Sequence, residues 1–215
     1  MTLTLHNYFR SSTSTRLRIA LNLKGLAYDY KGYALLEKQH KSEAFLARNP
    51  AGLVPVLELD DGTHLTQSMA IIEYLDETHP EPPLLPADAR GRARVRSLAG
   101  MIACDLHPLN NLRVLQYLDR EFGQGDDGKA KWFRHWVKEA FDPLEVMLAT
   151  SSQTGVFCHG DTPGIADICL YAQVWNNRRF KIETDSYPTI ARIFGRLDKI
   201  DAFARAAPPR QPDAA

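Results

Sequence analysis

The chain has 215 residues, enough for one large domain or two small ones. Apolar residues make up 44 % and charged residues 24 %, a balance that excludes a mostly disordered chain. The 26 Lys and Arg residues offset the 26 Asp and Glu, so the positive excess of a nucleic-acid binder is missing. No apolar run reaches the roughly 18 residues of a membrane span.

The opening stretch, MTLTLHNYFR, brings charge too early for the apolar core of a signal peptide and reads as an immediate strand over 3–8. Residues 11–15 are rich in hydroxyls, as a helix start is, because short hydroxyl side chains accept bonds from free backbone N–H groups. Leu17, Ala20 and Leu21 share one face of the helix that follows, and Gly25 ends it, since glycine tolerates a left-handed C-cap. Aromatic alternation predicts a second strand over 28–33. A short polar helix is expected over 41–47, ended by Asn49-Pro50. Within Leu53-Val54-Pro55-Val56-Leu57-Glu58 the proline cannot donate to a ladder, so it belongs at the first residue of a strand or after a cis bond in a tight turn. Asp60-Asp61-Gly62 signals a hairpin with its return strand over His64–Thr66, and Ser68 is expected to cap a helix through Ile71, Ile72 and Leu75 to about His79.

Prolines 80, 82, 83 and 86 make the next stretch a stiff, extended linker. Beyond it the texture is helical. One helix is expected through Leu98, Met101, Ile102, Asp105, Leu109 and Leu112. A second carries Phe133, Val137, Ala140, Leu144 and Leu148, a third runs from Gly164 toward Phe180, and a fourth covers 189–197. Pro108 falls inside the first of these, where it removes an intrahelical bond and meets the carbonyl of Cys104, so a kink is expected. The tail from Pro208 looks extended. The pattern therefore divides into a small α/β domain over 1–80, a linker over 81–90 and an all-helical domain over 91–215. Cys104, Cys158 and Cys169 lack the spacing of a disulfide framework or a zinc site, and no metal is implied. Cys104 and Cys169 lie in apolar helical patterns, as buried thiols do.

The α/β domain, with Val54-Pro55 and with Gln67-Ser68 opening a helix, resembles the thioredoxin-like domain of cytosolic glutathione transferases. The run Arg10-Ser11-Ser12-Thr13-Ser14-Thr15-Arg16-Leu17-Arg18-Ile19-Ala20-Leu21 is more specific. It is similar to the serine-rich signature of the zeta class, which includes the maleylacetoacetate and maleylpyruvate isomerases. The resemblance continues through Leu84-Leu85-Pro86, the segment from Cys104 to Asn111, Gly160-Asp161, Ala166-Asp167, Arg179-Phe180-Lys181 and Arg210-Gln211-Pro212-Asp213. No one of these motifs carries it; their order and spacing over nearly the whole chain do. It implies a thioredoxin-like α/β domain followed by an all-α domain, with glutathione as cofactor. It implies a cytoplasmic homodimer, the first domain of one chain against the second of the other, with no nucleic-acid or membrane partner. The implied activity is glutathione-dependent cis–trans isomerisation of maleylpyruvate or maleylacetoacetate in aromatic catabolism. A conjugating transferase, a haloacid dehalogenase and a non-catalytic glutathione-binding module on the same scaffold are the alternatives. Two positions depart from the class: Thr13 stands where cysteine is frequent, and Gly164 stands where Ser or Thr usually caps the helix. Asp167 can still reach back to the Gly164 N–H.

Roles for the residues follow from chemistry and resemblance together. A cis turn at Val54-Pro55 exposes backbone to which a peptide such as glutathione can pair like an added strand, unless it is a plain loop proline. Gln67-Ser68 at a helix N-terminus offers an anion site for the γ-glutamyl carboxylate, or is a plain cap. Ser11, Ser12 and Thr13 precede a helix; a hydroxyl there donates to a thiolate and lowers its pKa, or simply caps. Ser11 is the first choice for that role and Ser12 the second, while Tyr8 is read as packing. By resemblance His40 meets the glycyl end, and His107 with Asn111 faces glutathione; each histidine is otherwise an ordinary structural or surface residue. Arg10, Arg113 and Arg179 are the candidates for the substrate's carboxylates, because guanidinium forks match them; the alternative is solvated surface charge.

Overall fold

The computed structural model describes residues 3–214. The chain forms two compact units: residues up to Leu84 together with those from Lys199 onward, and Leu85–Asp198.

The first unit is built on a four-stranded sheet of β1 (Leu3–Asn7), β2 (Tyr28–Gly32), β3 (Val56–Glu58) and β4 (His64–Thr66), in the order β2-β1-β3-β4. β1 and β2 run parallel, with Leu3 opposite Tyr28; β1–β3 and β3–β4 are antiparallel, with Leu5 opposite Leu57 and Leu57 opposite Leu65. The parallel pair needs a crossover, and α1 (Ser12–Leu23) supplies it. Gly25 takes φ 65° just past the end of that helix. The 28–47 stretch continues as a 3-10 turn over Gln39–Lys41 and a short helix α2 (Glu43–Leu46), capped by the Ser42 side chain. α3 (Ser68–Thr78) packs beside α1 over the sheet. Leu5, Leu17, Leu21, Phe45, Leu57 and Ile72 are fully buried between them; each such side chain contributes about 1.5–3 kcal/mol by leaving water.

Two local expectations for this unit need correction. Ser68 does not cap α3: it is the first helical residue, and Gln67 occupies the cap position with no side-chain bond. The proline-rich stretch is not free-standing. The Lys24 ammonium bonds both the Asp76 carboxylate and the Pro82 carbonyl at 2.6 Å, Asp76 also accepts from the Leu84 N–H, and Leu84 is buried.

The second unit is helical: α4 (Ala89–Gly100), α5 (His107–Leu109), α6 (Leu112–Phe122), α7 (Gly125–Thr150), α8 (Ile165–Arg178) and α9 (Pro188–Leu197). The expected single helix across 98–112 is instead broken. After α4 the chain widens into a π turn over Met101–Leu106, in which the His107 N–H reaches the Ile102 carbonyl five residues back. Pro108 has no N–H to offer, and the wider turn accommodates its ring where an α-helix would clash. Cys104 lies on the outside of this turn and is exposed, against the expectation of a buried thiol, whereas Cys158 and Cys169 are buried. Gly164 is the N-cap of α8, and the Asp167 carboxylate accepts from the N–H groups of Gly164 and Cys158, both at 2.9 Å.

The C-terminal residues also differ from expectation. α10 (Asp201–Ala204) and a 3-10 turn over Pro208–Arg210 fold onto the first unit, with α10 against α1. The division that assigned all of 91–215 to the helical domain is therefore corrected at Lys199. The tail is not extended because its polar groups find partners: the buried Gln211 side chain donates to the Arg205 and Ala207 carbonyls.

Candidate active site

The turn between β1 and α1 carries the serine-rich run. Ser11 is the N-cap of α1, with extended backbone, and its Oγ accepts from the Ser14 N–H at 3.3 Å. The same Oγ lies 2.7 Å from Thr13 Oγ1, and Thr13 donates to the Val54 carbonyl at 3.1 Å. Thr13 has one proton and gives it to Val54, so in this arrangement the Ser11 hydroxyl donates to Thr13. Three of the expected residues thus meet in one chain of hydroxyls that ends on the carbonyl before Pro55, and the Val54–Pro55 bond is cis. Among the described residues no backbone or side-chain acceptor takes the Val54 N–H. Ser11 and Thr13 are half-buried, while Ser12 is 5 % exposed and turned into the fold.

Arg10 is directed by its neighbours. Its Nε and Nη2 donate to the Tyr8 hydroxyl at 3.1 and 2.9 Å, and its guanidinium lies 5.2 Å from the Phe9 ring centre. Tyr8 is therefore a hydrogen-bonding partner of Arg10 as well as a packing residue.

At the start of α3, Gln67 has φ 69° and ψ 106°, a backbone region that costs a non-glycine residue about 1–3 kcal/mol. The turn it makes leaves the first N–H groups of α3 uncapped by any Gln67 side-chain bond, and Ser68 sits 5 % exposed beneath them. This strained cap at a helix N-terminus is an anion-binding geometry. His40 lies on the 3-10 turn beside Lys41, whose ammonium reaches the Ala51 carbonyl in the loop toward Val54. Burial lowers the His40 pKa, with Lys41 adding to the effect, so the ring is neutral at pH 7.

In the helical unit, Asn111 caps α6 by accepting from the Arg113 N–H, and its amide lies 3.5 Å from His107 Nε2. The two are neighbours across the break after α5 rather than on one continuous helix. Arg179 ends α8, with Phe180 stacked on Phe133 at 3.8 Å between ring centres. A cavity of about 420 Å³ opens here, lined by Arg179, Phe180, Lys129, Arg134 and Leu115. Its lining carries more positive than negative charge. Arg113 is exposed and does not line it.

Residues 5–83 match the model of the glutathione S-transferase N-terminal domain. Maleylpyruvate isomerase of a Ralstonia species is 48 % identical over 98 % of this chain and 99 % of its own. A holo structure of maleylpyruvate isomerase, described as a bacterial zeta-class enzyme, superposes with a TM-score of 0.96 at 47 % identity, covering 99 % of this chain and 100 % of that one. The chain belongs to the zeta-class glutathione transferases. A maleylacetoacetate isomerase of Anaeromyxobacter dehalogenans, solved with dicarboxyethyl glutathione and citrate in its active site, is similar at 41 % identity. Its TM-score is 0.87, with 100 % of this chain and 94 % of that one covered. The fold is thus the expected one, an α/β thioredoxin-like domain with an all-α domain.

Within this zeta-class chain, two residues around the serine turn had drawn no role from the sequence. Arg18 is fully buried and donates to Asn7 Oδ1, the Phe9 carbonyl, Thr15 Oγ1 and the Ala206 carbonyl at 2.8–3.1 Å. Asp213 accepts from the Phe9 N–H at 3.2 Å and from the Tyr30 hydroxyl. A charge between Leu17 and Ile19, on a helix otherwise buried there, is the available signal for Arg18. Asp213 had none beyond its place in the tail motif.

Proposed function

We propose that the protein is a glutathione-dependent cis–trans isomerase of a maleyl keto acid, maleylpyruvate or maleylacetoacetate, working as a cytoplasmic homodimer in aromatic catabolism. The observation that carries this reading is the hydroxyl chain from Ser11 through Thr13 to the Val54 carbonyl. The residues suit glutathione chemically. Val54 offers backbone for strand-like pairing, the N-terminus of α3 with Gln67 and Ser68 suits a carboxylate, and His40 stands near the same loop. His107 and Asn111 are the remaining polar groups assigned to it. Bound there, glutathione supplies a thiolate that adds to the cis double bond, permits rotation about the resulting single bond and leaves unconsumed.

With glutathione bound, the Ser11 hydroxyl turns its one proton from Thr13 to the sulfur and favours the charged form, helped by the N-terminus of α1. Ser12 is the second choice but is turned inward. An unperturbed thiol with a pKa near 8.5 is about 3 % ionised at pH 7; two units lower it is about three-quarters ionised, a stabilisation of about 2.7 kcal/mol. Arg10, Arg113 and Arg179 hold the substrate carboxylates and stabilise the negative charge that develops on its keto oxygen. The dicarboxyethyl thioether bound to the Anaeromyxobacter relative supports the reading, because its connectivity is that of a thiol added across the double bond of a four-carbon diacid.

The test combines turnover with thiol counting. With catalytic glutathione, a maleyl keto acid should convert to its fumaryl isomer without net loss of thiol. Stoichiometric thiol consumption, seen with haloacid or aryl-halide substrates alone, would make the protein a conjugating transferase or dehalogenase instead. Ser11→Ala should raise the pKa of the bound thiol by about two units and cut turnover about 25-fold at pH 7, with most of the loss recovered at alkaline pH. An unchanged thiol titration would remove Ser11 from the mechanism.

A further inference from the structure

The turn that presents Arg10 and Ser11 is four residues long and has little packing of its own: Tyr8, Phe9, Arg10 and Ser11 are all partly exposed. One backbone bond closes it locally, from the Ser11 N–H to the Tyr8 carbonyl at 3.0 Å. Its centre is Phe9, and both backbone groups of Phe9 are held from outside the turn. The Phe9 carbonyl accepts from Arg18 at 2.9 Å, and the Phe9 N–H donates to Asp213 at 3.2 Å, 204 residues away in sequence. Arg18 is itself tied to the tail through two bonds to the Ala206 carbonyl. Tyr30 on β2 holds the second oxygen of Asp213, and Gly32 at the end of β2 leaves room for the carboxylate, since a Cβ there would come within 2.9 Å of it. The carboxylate also bears a charge opposite to the buried Arg18 guanidinium, whose pKa burial lowers to about 10.

We propose that Asp213 is a positioning residue for catalysis: the C-terminal tail folds back as a strap, and its carboxylate sets the turn from which Ser11 and Arg10 reach their ligands. A bond to an ionised acceptor is stronger and more directional than one to water, so this tie fixes where the Ser11 Oγ lies relative to the start of α1. Loss of the tie lets the turn sample other conformations, and the hydroxyl is then shared less well with a thiolate. The strap does not touch the reacting atoms. It acts through Phe9, so it alters the quality of the site more than its occupancy.

The inference rests on the serine–thiolate reading above, and its test has an arm that does not. In the full-length chain, Asp213→Ala should speed amide hydrogen exchange at Phe9 by about tenfold or more while exchange in β1 stays slow. With glutathione bound, the ultraviolet absorbance of the thiolate should titrate at higher pH than in the parent. kcat at neutral pH should fall about tenfold, with KM for glutathione shifted by less than about threefold. Asp213→Asn should lie between, because its carbonyl oxygen can still accept from Phe9 but carries no charge. Gly32→Ala, which leaves Asp213 in the chain but crowds it, should reproduce the same thiol shift. A parent that binds no glutathione sinks the functional reading and leaves the exchange measurement standing. Unchanged Phe9 exchange in Asp213→Ala, or faster exchange with an unmoved thiol titration and kcat, overturns the strap. If Asp213→Ala does not fold, Gly32→Ala and Asp213→Asn decide the question by the same readouts.

Discussion

The two units hold their site residues by different means. In the first, a turn with little apolar packing is held by hydrogen bonds that span the chain: Phe9 to Asp213, Arg18 to Ala206, Thr13 to Val54. In the second, Arg179 follows a helix whose register is set by aromatic packing, Phe180 on Phe133, while its own guanidinium is exposed. Hydrogen bonds fix direction, and apolar packing fixes place more than direction. The difference suits a hydroxyl that must meet one sulfur atom and a cation that must follow a flexible diacid. Changes to the ties around the Ser11 turn should therefore act on thiol ionisation and kcat, and a change at Arg179 on substrate KM.

The largest effect is expected at Arg18. Arg18→Met keeps most of the side-chain volume but leaves the acceptors at Ala206 and Asn7 buried and unpaired, and the part-buried Phe9 carbonyl without its donor. Breaking a buried charged network in this way costs about 3–5 kcal/mol. A urea titration should show that loss, and the folded fraction should show a raised thiol pKa. A variant as stable as the parent would mean that water replaces the guanidinium, and the contrast between the units would fail.

How much of this was legible beforehand follows the range of each interaction. Local signals are legible in the sequence. The hydroxyl run gave the Ser11 cap, Asp167 its bond to the Gly164 N–H, and Asp60-Asp61-Gly62 the hairpin, because each depends on residues within a few positions. The cis bond before Pro55 was legible as one of two options, since a proline inside a strand-like run leaves few places for it. The π turn was not, because Pro108 announces a disturbed helix without saying whether the chain bends or widens. Gln67 gave no warning of its positive φ, as nothing in its side chain favours that backbone. The partnership of Asp213 with Phe9 lies beyond any periodicity, and a tail rich in proline reads as extended until its partners are known.

The next effect is smaller and sits in the helical unit. Arg179→Ala should raise KM for the maleyl keto acid about tenfold or more, the worth of one charge-assisted hydrogen bond to a carboxylate. Arg179 is exposed, so stability should change by less than about 0.5 kcal/mol. The bound thiol should titrate as in the parent. Steady-state kinetics beside a thiolate titration checks all three, and a shifted thiol pKa would show that the two units do not divide the work as described.

The smallest effect separates two polar clusters within the first unit. Arg18 stays charged throughout the physiological range, but His6 titrates. His6 is 3 % exposed on β1, with Nε2 2.9 Å from Glu58 and Nδ1 2.9 Å from the Tyr33 hydroxyl. A neutral ring satisfies both bonds when Nε2 carries the proton and Tyr33 donates to Nδ1. Burial lowers the His6 pKa below its usual 6.5 despite the opposing hydrogen bond to Glu58, whose own pKa that bond holds below the usual 4.5. Below pH 6.5 the unfolded chain therefore takes up a proton more readily than the folded one, and stability falls as pH drops toward the lowered folded value. Further acidification through the Glu58 range removes the contribution of its carboxylate in the same direction. His6→Gln retains a side-chain donor but no titration. Its stability should decline less than the parent's just below pH 6.5, by about 1 kcal/mol or less, the remaining decline belonging to His40. A parent as flat as the variant across that window would mean that His6 takes up its proton as readily folded as unfolded, whereas stability rising on acidification would mean that the sheet cluster already carries its proton at neutral pH.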